Sequence, residues 1–448
     1  MNAIGATLTL ICVSIVFFGS RRWAALGVIL GVCYLTQGQV IDAAGFHFTA
    51  IRIALLAGIL RSVLFGEFRA VRFNPIDKAL LGYAFSMLII YTLRERTSDA
   101  LVYQLGCTYD ILLSYFVFRS LITSLEEAAE FFQGLAVLII PLAVLMLIES
   151  VTGSNVFRVM GGQGWDEAVF REGRARAVAS FRGPHTSGIF GATLFPVFAG
   201  LWLRPGTRRV ATVGLAGAGL IMYSTNSSGP LLAFLSGVLA LIFWPLQERM
   251  QAVRRGIVLT LITLHLSMKA PVWYIFSKIS DLTGGDGWNR SFVLDRAIYY
   301  FTDWCLLGTR YTATWLGDPT LTGQLDLTDS YVATAAVGGL LGLGYFILLE
   351  VRCFRHLGLA MQLKREHAAR TDPLLWGMGA ALFAHVVGLF SVGYFDQVHV
   401  PWWGLLAIIS STTANLLAAS PTGPAEKTEQ PAGLEVGLAS LEPPGYNG

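Results

Sequence analysis

Apolar segments close to the length of a membrane-spanning helix recur along this chain from its first residues to about residue 418. A span needs about 20 predominantly apolar residues. Thirteen segments approach that length, near 2–19, 23–37, 48–65, 79–93, 101–120, 131–150, 187–203, 210–225, 229–246, 257–276, 329–350, 373–391 and 401–418. Some are short or contain glycine, so we expect about twelve to fourteen spans. Only 14% of the residues are charged, against roughly 25% in soluble proteins. The pattern predicts an all-α, polytopic transmembrane helical bundle.

Basic residues in the short connections predict the sidedness of the bundle, because Lys and Arg in short loops favour the cytoplasm. Alternate connections carry them: Arg21 and Arg22; Arg69, Arg72 and Lys78; Arg204, Arg208 and Arg209; Arg249, Arg254 and Arg255; and segment 351–370. We expect these connections and the C-terminus in the cytoplasm, with the N-terminus outside. On the opposite side, the connections at about 151–186 and 277–328 are long, and loops of this length are usually functional.

These boundaries divide the chain into six regions. They are N-terminal transmembrane helices at 1–150, a first external loop at 151–186, central transmembrane helices at 187–276, a second external loop with interfacial helices at 277–328, C-terminal transmembrane helices at 329–419 and a cytoplasmic tail at 420–448. The tail is rich in Pro, Gly and Glu, which predicts disorder. The first apolar run precedes Arg21 and Arg22 and lacks an A-x-A cleavage pattern, so we interpret it as a helix and not as a signal peptide.

Several function classes have no counterpart in the sequence. The chain contains no nucleotide-binding glycine motif and no nucleic-acid-binding module. Its five cysteines form no CxxC pair, which argues against a disulfide framework or a zinc site. It also lacks an HExxH motif and a clustered set of carboxylates. We therefore expect chemistry that uses no metal and no other cofactor.

Positive charge is concentrated in the first external loop, against the orientation trend. Five arginines oppose three acidic residues there: Arg158, Arg171, Arg174, Arg176 and Arg182. Arginine suits phosphate because its planar fork donates two parallel hydrogen bonds and stays charged. An anchored lipid diphosphate is the anion expected at a membrane surface. The alternative is that these arginines pair with Asp166 and Glu172 of the same loop.

Other titratable residues lie inside or beside the predicted spans. His185 follows Pro184 at the start of a span, where it can bind phosphate, act as an acid or base, or simply begin the helix. Charged residues within a membrane are costly and are functional candidates by default. The candidates here are Arg52, Asp110, Glu149, His265 and His385. We expect Arg52 and Asp110 to form a structural pair between helices.

Aromatic residues are abundant in the second external loop. The spacing of Tyr300 and Trp304 predicts a helix that lies at the membrane interface. Stacking of these rings on sugars is the alternative.

Three patches resemble the bacterial O-antigen ligase and O-antigen polymerase superfamily. The first, RAVASFRGPHTSGIFGATLFP at 176–196, is similar to the family pattern Arg-x-x-Gly-x-Phe-x-x-Pro-Asn-x-x-Gly, with Arg176 as the motif arginine. The second, STNSSGPLLAFLSGVLAL at 224–241, is similar to a polar, Ser-containing hairpin that opens the next helix. The third, GGDGWNRSFVLDRAIYYFTDWCLLGT at 284–309, resembles a Gly-x-Arg motif followed by an aromatic helix, with Arg290 as its arginine.

The chain departs from the family pattern at four places. The Ser-Arg that is common in the family's polar hairpin is absent from 224–241. Ala179 stands where the pattern has glycine, and His185 stands where it has asparagine. Thr328-Asp329-Ser330 replaces the His-Asn that family ligases often show. These departures leave open whether the chain would act as a polymerase or as a ligase.

The resemblance implies a C-type glycosyltransferase-like fold and glycosyl transfer at the outer face of the bacterial inner membrane. The donor would be a glycan on undecaprenyl diphosphate and the acceptor a saccharide or a lipid. The context would be O-antigen, lipopolysaccharide or exopolysaccharide assembly, together with a flippase and a chain-length regulator. The implied diphosphate ligands are Arg176 and Arg290, supported by Arg182 and Arg174. The implied acceptor-orienting or proton-accepting residues are His185, Asp329 and Asp396.

Two other functions remain open at this point. A transporter or flippase of a lipid-linked saccharide should show halves related by a repeat and helices broken near mid-membrane. The sequence contains no such repeat. A non-enzymatic assembly subunit would use the same loops to bind partners.

Overall fold

A computed structural model describes residues 1–43, 46–161, 169–171, 173–275, 277–278, 287–317, 325, 327–368 and 371–418. Each of the thirteen apolar segments forms a helix. These helices are α1 (Ala3–Phe18), α2 (Arg21–Tyr34), α3 (Ala50–Leu64), α4 (Pro75–Glu95), α5 (Ser98–Leu121), α6 (Leu125–Thr152), α7 (Pro184–Leu203), α8 (Arg208–Ser224), α9 (Ser228–Ile242), α10 (Met250–Ser267), α13 (Ser330–Ala368), α14 (Pro373–Leu389) and α15 (His399–Ala418). The second external segment adds α11 (Gly287–Tyr299) and α12 (Phe301–Trp304). The chain is therefore an all-α helical bundle, as predicted.

Short elements complete the described part of the chain. Two antiparallel hairpins pair β1 (Val40–Ala43) with β2 (Phe46–Thr49) and β3 (Phe170–Arg171) with β4 (Arg174–Ala175). The 3-10 turns are Glu67–Ala70, Val156–Met160, Trp244–Arg249, Val272–Tyr274, Thr312–Leu316 and Asp396–Val398. The second hairpin lies just before Arg176. The predicted tail at 420–448 falls outside the described residues.

Six helices within the described residues are long and apolar enough to cross a membrane. They are Pro75–Glu95, Ser98–Leu121, Leu125–Thr152, Pro184–Leu203, Ser330–His367 and Asp396–Ala418. Ser228–Ile242 and Trp244–Ser267 pass the same test together but are bent by 76°. By length and composition the number is thus six, or seven with the bent pair, against the twelve to fourteen expected. The difference arises because several apolar runs give short helices, such as the 14 residues of α2 and the 15 of α3.

Alternate connections meet at the same end of the bundle. At one end Arg204 pairs with Asp372 at 3.3 Å, and Asn415 donates to the Thr123 carbonyl at 2.7 Å. We call this the short-loop end. At the other end the Gln397 side chain donates to the carbonyls of Leu35 and Ser180, which come from two earlier connections. We call this the long-loop end. The grouping of loops is the one that the basic residues predicted.

The Arg52–Asp110 pair predicted from the sequence is present between α3 and α5. The Arg52 guanidinium donates to both Asp110 oxygens, at 2.8 and 2.6 Å. This bidentate geometry satisfies both charges, so the pair is structural, as expected.

Helix α7 is the most enclosed of the six long helices, with 78% of its apolar window buried inside the protein. It packs against α8, α9 and α14. The approach to α14 is closest at Gly200, where an added Cβ would lie 2.9 Å from the Gly377 Cα. Near the first turn, an added Cβ at Gly188 would lie 2.6 Å from Pro230 of α9, so the packing also fixes the end of α7 that carries His185.

Helix α13 is two helices joined at a bend. Gly339 has φ 59° and ψ −162°, a backbone conformation open to glycine. The Tyr331 hydroxyl lies 3.1 Å from both oxygens of Glu350. In a straight helix these residues would be about 28 Å apart along the axis. Residues 330–338, which we call the half-helix, therefore fold back against the rest of α13.

The second external segment has a small core of its own. Trp304 and Trp315 are buried, and the Tyr300 ring stacks on Trp315 with 3° between the ring planes. Tyr300 and Trp304, whose spacing predicted a helix at the membrane interface, both pack against this core, and the position of the helix at the interface stays a prediction. The core also includes Val332 of the half-helix. The segment is thus built onto the start of α13.

Candidate anion site at the long-loop end

Arg176 lies at the long-loop end with its charge only partly satisfied. Its Nη2 donates to the Ser227 hydroxyl at 3.0 Å, and its buried Nε has no hydrogen-bond partner within the described residues. No described carboxylate forms an ion pair with it. Burial lowers the pKa of the guanidinium, and the positive charge of Arg171 lowers it further. The group stays charged at neutral pH, so the surroundings of Arg176 favour an anion.

Arg290 reaches the same loop from α11. Its Nη2 donates to the Ser228 hydroxyl at 3.4 Å. An added Cβ at Gly229 would lie 3.3 Å from the Arg290 guanidinium and 2.9 Å from Val392. The two arginines that the resemblance singled out, 114 positions apart in the chain, thus contact adjacent serine hydroxyls.

The loop between α8 and α9 is the common partner of the two arginines. Asn226 has φ 44° and donates to the Arg171 carbonyl at 2.8 Å. Ser227 is the N-cap of α9 and makes no side-chain capping bond. The first N–H groups of a helix have no partner within the helix and carry partial positive charge. Sequence reasoning located this polar hairpin but gave its serine hydroxyls no role; the polar break TNSSGP between two apolar runs was the available signal.

Glu149 supports the segment that carries Arg176. Its carboxylate accepts hydrogen bonds from the backbone N–H groups of Val178 at 3.0 Å and Ala179 at 2.8 Å. It also accepts from the Asn155 side chain at 3.0 Å. Glu149, which the sequence placed inside or beside a span, therefore fixes the backbone conformation of the loop that follows Arg176. Ala179 has φ 55°, so the position where the family pattern has glycine adopts a backbone conformation that favours glycine.

Asp329 caps the half-helix. Its Oδ1 accepts from the backbone N–H groups of Tyr331 at 2.8 Å and Val332 at 3.0 Å. Burial raises the pKa of the Asp329 carboxyl to about 7, although these two N–H groups favour the charged form. A carboxyl with such a pKa can take up or release a proton near neutral pH.

The start of the half-helix is joined to the arginine site through Val392. The Ser330 hydroxyl donates to the Val392 carbonyl at 3.0 Å, and Val392 packs on Gly229. The Tyr394 N–H donates in turn to the Ser330 hydroxyl at 3.1 Å. Asp329 and the two arginines therefore belong to one contact network at the long-loop end.

Arg182 and Asp396 pair with each other. Arg182 Nη1 lies 3.3 Å from Asp396 Oδ2, and the Arg182 side chain is 59% exposed. The guanidinium also lies over the Phe395 ring at 5.5 Å, and the His185 ring meets the same ring edge-on at 5.6 Å. Asp396 has φ 54°. The structure thus groups His185, Arg182 and Asp396 around Phe395, which lies in the same connection as Val392; we call this group the rim.

Arg174 lies in β4 opposite Arg171. Its guanidinium stacks over the Tyr223 ring at 4.1 Å, a cation–π contact. Arg174 is thus close to the loop that contains Asn226, but its guanidinium contacts the Tyr223 ring and not that loop. The alternative pairing of the first loop's arginines with Asp166 and Glu172 falls on residues outside the described part of the chain.

Within the described residues, no three His, Cys, Asp or Glu side chains are grouped closely enough to hold a metal ion. Comparisons with protein-family models and with curated proteins found no match to this chain.

Proposed function

We propose that this chain is a membrane glycosyltransferase that moves a glycan from undecaprenyl diphosphate to a saccharide or lipid acceptor at the outer face of the bacterial inner membrane. It would act as a polysaccharide polymerase or as an O-antigen ligase. The observation that carries the proposal is the meeting of Arg176 and Arg290 on the adjacent hydroxyls of Ser227 and Ser228, at one end of an apolar helical bundle. Two guanidinium groups so placed suit a diphosphate at a membrane surface.

The proposed reaction divides its work between two kinds of side chain. The acceptor hydroxyl attacks the anomeric carbon of the donor, and the bond from that carbon to the phosphate oxygen breaks. Arg176 and Arg290 neutralise the charge that develops on the leaving lipid diphosphate. Asp329, with its pKa near 7, takes the proton of the acceptor. No metal or other cofactor takes part in this scheme.

The residues at the rim have supporting roles in this proposal. Arg182 and Asp396 form an ion pair at the mouth of the site, with His185 beside them on Phe395. We assign these three residues to orienting the acceptor and Arg174 to the outer phosphate contact. A flippase that supplies the donor and a regulator of chain length are the partners that fit a polymerase.

The test is a transfer assay with the purified protein in lipid nanodiscs. The substrates are a labelled undecaprenyl-diphosphate oligosaccharide and an unlabelled acceptor glycan. We expect new glycosidic product from the wild type and a loss of about 100-fold or more in Arg176→Ala and in Arg290→Ala. Arg208→Ala, at the short-loop end, is the matched control and should keep full activity. Equal activity in all four proteins would refute the site assignment.

A transporter or flippase of a lipid-linked saccharide is the second candidate. The bend in α13 and the 76° bend between Ser228–Ile242 and Trp244–Ser267 favour it, because transporters often bind substrate at broken helices. The same nanodisc preparation does not separate two sides, so this candidate requires sealed proteoliposomes. Crossing of the labelled lipid without any new glycosidic bond would support transport and contradict transfer.

A further inference from the structure

The described part of the second external segment has two faces of opposite character. One face forms the core around Trp304 and Trp315. The other exposes large apolar side chains, with Leu306 79% and Leu307 52% exposed. Other members of this face are Tyr299, Phe301, Tyr311 and Leu316. Because the segment already has a packed core, these side chains are not the remains of incomplete packing. A contiguous exposed apolar face marks contact with a protein or a membrane.

The backbone fixes where this apolar face lies. The Thr309 N–H donates to the Ala336 carbonyl at 2.8 Å, and the Leu340 N–H donates to the Cys305 carbonyl at 2.9 Å. Gly308, at φ 70°, allows this approach, because an added Cβ would collide with the Ala336 carbonyl oxygen. The segment is therefore held directly against the bend of α13.

At that bend, the apolar face joins the apolar surface of a membrane-length helix. Leu340 and Leu341 of α13 are themselves exposed, at 47% and 54%. They follow the bend within Ser330–His367, a helix with the length and hydropathy of a span. Leu306 and Leu307 lie beside this exposed surface, because the preceding residue, Cys305, accepts a hydrogen bond from the Leu340 N–H. The two leucines therefore continue the surface away from α13.

We propose that the apolar face of residues 299–311 lies in the lipid leaflet at the long-loop end, with Leu306 and Leu307 among the acyl chains and the exposed Asp303 side chain at the level of the headgroups. The occupant is lipid because the face continues the apolar belt of α13. Tyrosine is also the residue expected where such a face reaches the headgroups, and Tyr299 and Tyr311 bound it along the chain. The basic side chain within the segment is held by α4, because Arg310 pairs with Glu95 at 3.1 Å and donates to the Arg94 carbonyl.

This proposal gives a depth to the interfacial helices predicted for the second external loop. The segment is a shallow membrane element whose apolar tip enters the leaflet, and its inner face supports the half-helix that Asp329 caps. The proposal does not depend on the chemistry of the arginine site, because it rests on packing and exposure alone.

The test measures the surroundings of spin labels on single cysteines. The two partly exposed cysteines, Cys107 and Cys305, are first changed to Ser; the other three are buried. Leu306→Cys and Leu307→Cys are then labelled in nanodiscs of phosphatidylethanolamine and phosphatidylglycerol. Oxygen concentrates in the acyl region, whereas a neutral nickel chelate stays in water, so the ratio of their collision rates reports depth.

Two further labels calibrate the measurement. Val137→Cys lies on the exposed face of α6 within a span, and Asp42→Cys lies on the exposed β1–β2 hairpin. We expect the ratios at 306 and 307 to resemble that at 137 and to exceed that at 42 by about tenfold. Ratios like that at 42 would show an aqueous loop and overturn the proposal. Low collision rates with both reagents would show a protein cover, from a second copy or another partner, and would also overturn it.

Discussion

Two arginines at opposite ends of the bundle show how differently this protein treats buried positive charge. At the short-loop end, Arg119 is 0% exposed and its Nε lies 3.1 Å from Asp77. Asp77 also accepts from the Tyr115 and Ser410 hydroxyls, at 2.6 and 3.2 Å. At the long-loop end, Arg176 contacts a serine hydroxyl and has no described carboxylate partner. The first charge is balanced by a carboxylate, whereas the second has none among the described residues and, in the proposed function, binds the donor diphosphate.

Under the proposed function, this difference separates a structural role from a substrate-binding one. A buried charge that loses its partner destabilises the fold strongly, because the remaining charge stays in a poorly solvating interior. A buried charge without an internal partner costs stability in the folded state and is kept where function requires it. We therefore expect substitutions at the two ends to change different measured quantities.

The largest effect is expected at the short-loop end. Arg119→Ala leaves Asp77 buried without its cation and should lower the free energy of unfolding by about 3–5 kcal/mol. Unfolding in mixed micelles by increasing dodecyl sulfate measures this. Adding Asp77→Asn to Arg119→Ala removes the unpaired charge and should restore part of the loss. Arg176→Ala should change the same quantity by less than about 1 kcal/mol; a loss as large as that of Arg119→Ala would remove the contrast between the two ends.

The next effect concerns the pH dependence of stability at the long-loop end. The folded-state pKa of Asp329 is raised to about 7, above an unfolded value of about 3.9. Between these values the folded protein holds a proton that the unfolded chain has released, so stability falls as pH rises. The slope from this one group is at most about 1.4 kcal/mol per pH unit.

Asp329→Asn should flatten the fall in melting temperature between pH 5 and pH 7.5, and Asn still caps the half-helix. Asp329→Ser, another capping residue, should give the same flattened profile. An unchanged slope in both variants would show that Asp329 is already ionised in the folded protein at pH 5. It would then lack the raised pKa on which its assignment as proton acceptor rests.

The smallest effect is an expected gain in stability in the segment that Glu149 supports. Ala179 holds a positive φ of 55°, which costs a residue with a Cβ roughly 1 kcal/mol relative to glycine. Ala179→Gly should therefore stabilise the protein by about 0.5–1 kcal/mol, measured by the same micelle titration. Ala177→Gly, two residues earlier and without a positive φ, is the control and should be neutral or destabilising. A loss of stability in Ala179→Gly would mean that the packing of the Cβ contributes more free energy than the backbone strain costs.

Hydropathy was sufficient to locate the helices of this protein, because thirteen apolar runs each form one. It did not predict their lengths, since the N-cap Asn74 begins α4 and the C-cap Gly153 ends α6 independently of hydropathy. The fold-back at Gly339 was also not predicted. The fold-back is stabilised by the Tyr331–Glu350 contact. These residues are too far apart in the sequence for helical periodicity to pair them.

The candidate site was predicted in part. The resemblance selected Arg176 and Arg290, and the structure brings them to one loop. The pairing of Arg182 with Asp396 and the support from Glu149 were not predicted, because each joins residues from separate helices. His385 illustrates the same limit, because its Nδ1 lies 2.8 Å from the Tyr394 hydroxyl. The sequence showed a titratable residue in an apolar run but not this partner.

The folded-back half-helix also sets an order of assembly during synthesis. Its first residue, Ser330, bonds to the carbonyl of Val392, and Tyr331 packs on Phe390 at 4.5 Å between ring centroids. Both partners leave the ribosome about 60 residues later, after the long part of α13 and all of α14. The carboxyl of Asp329 can take its final position only when that hairpin has been inserted. A nascent chain halted before α14 would contain both arginines and the serine loop but not a completed site.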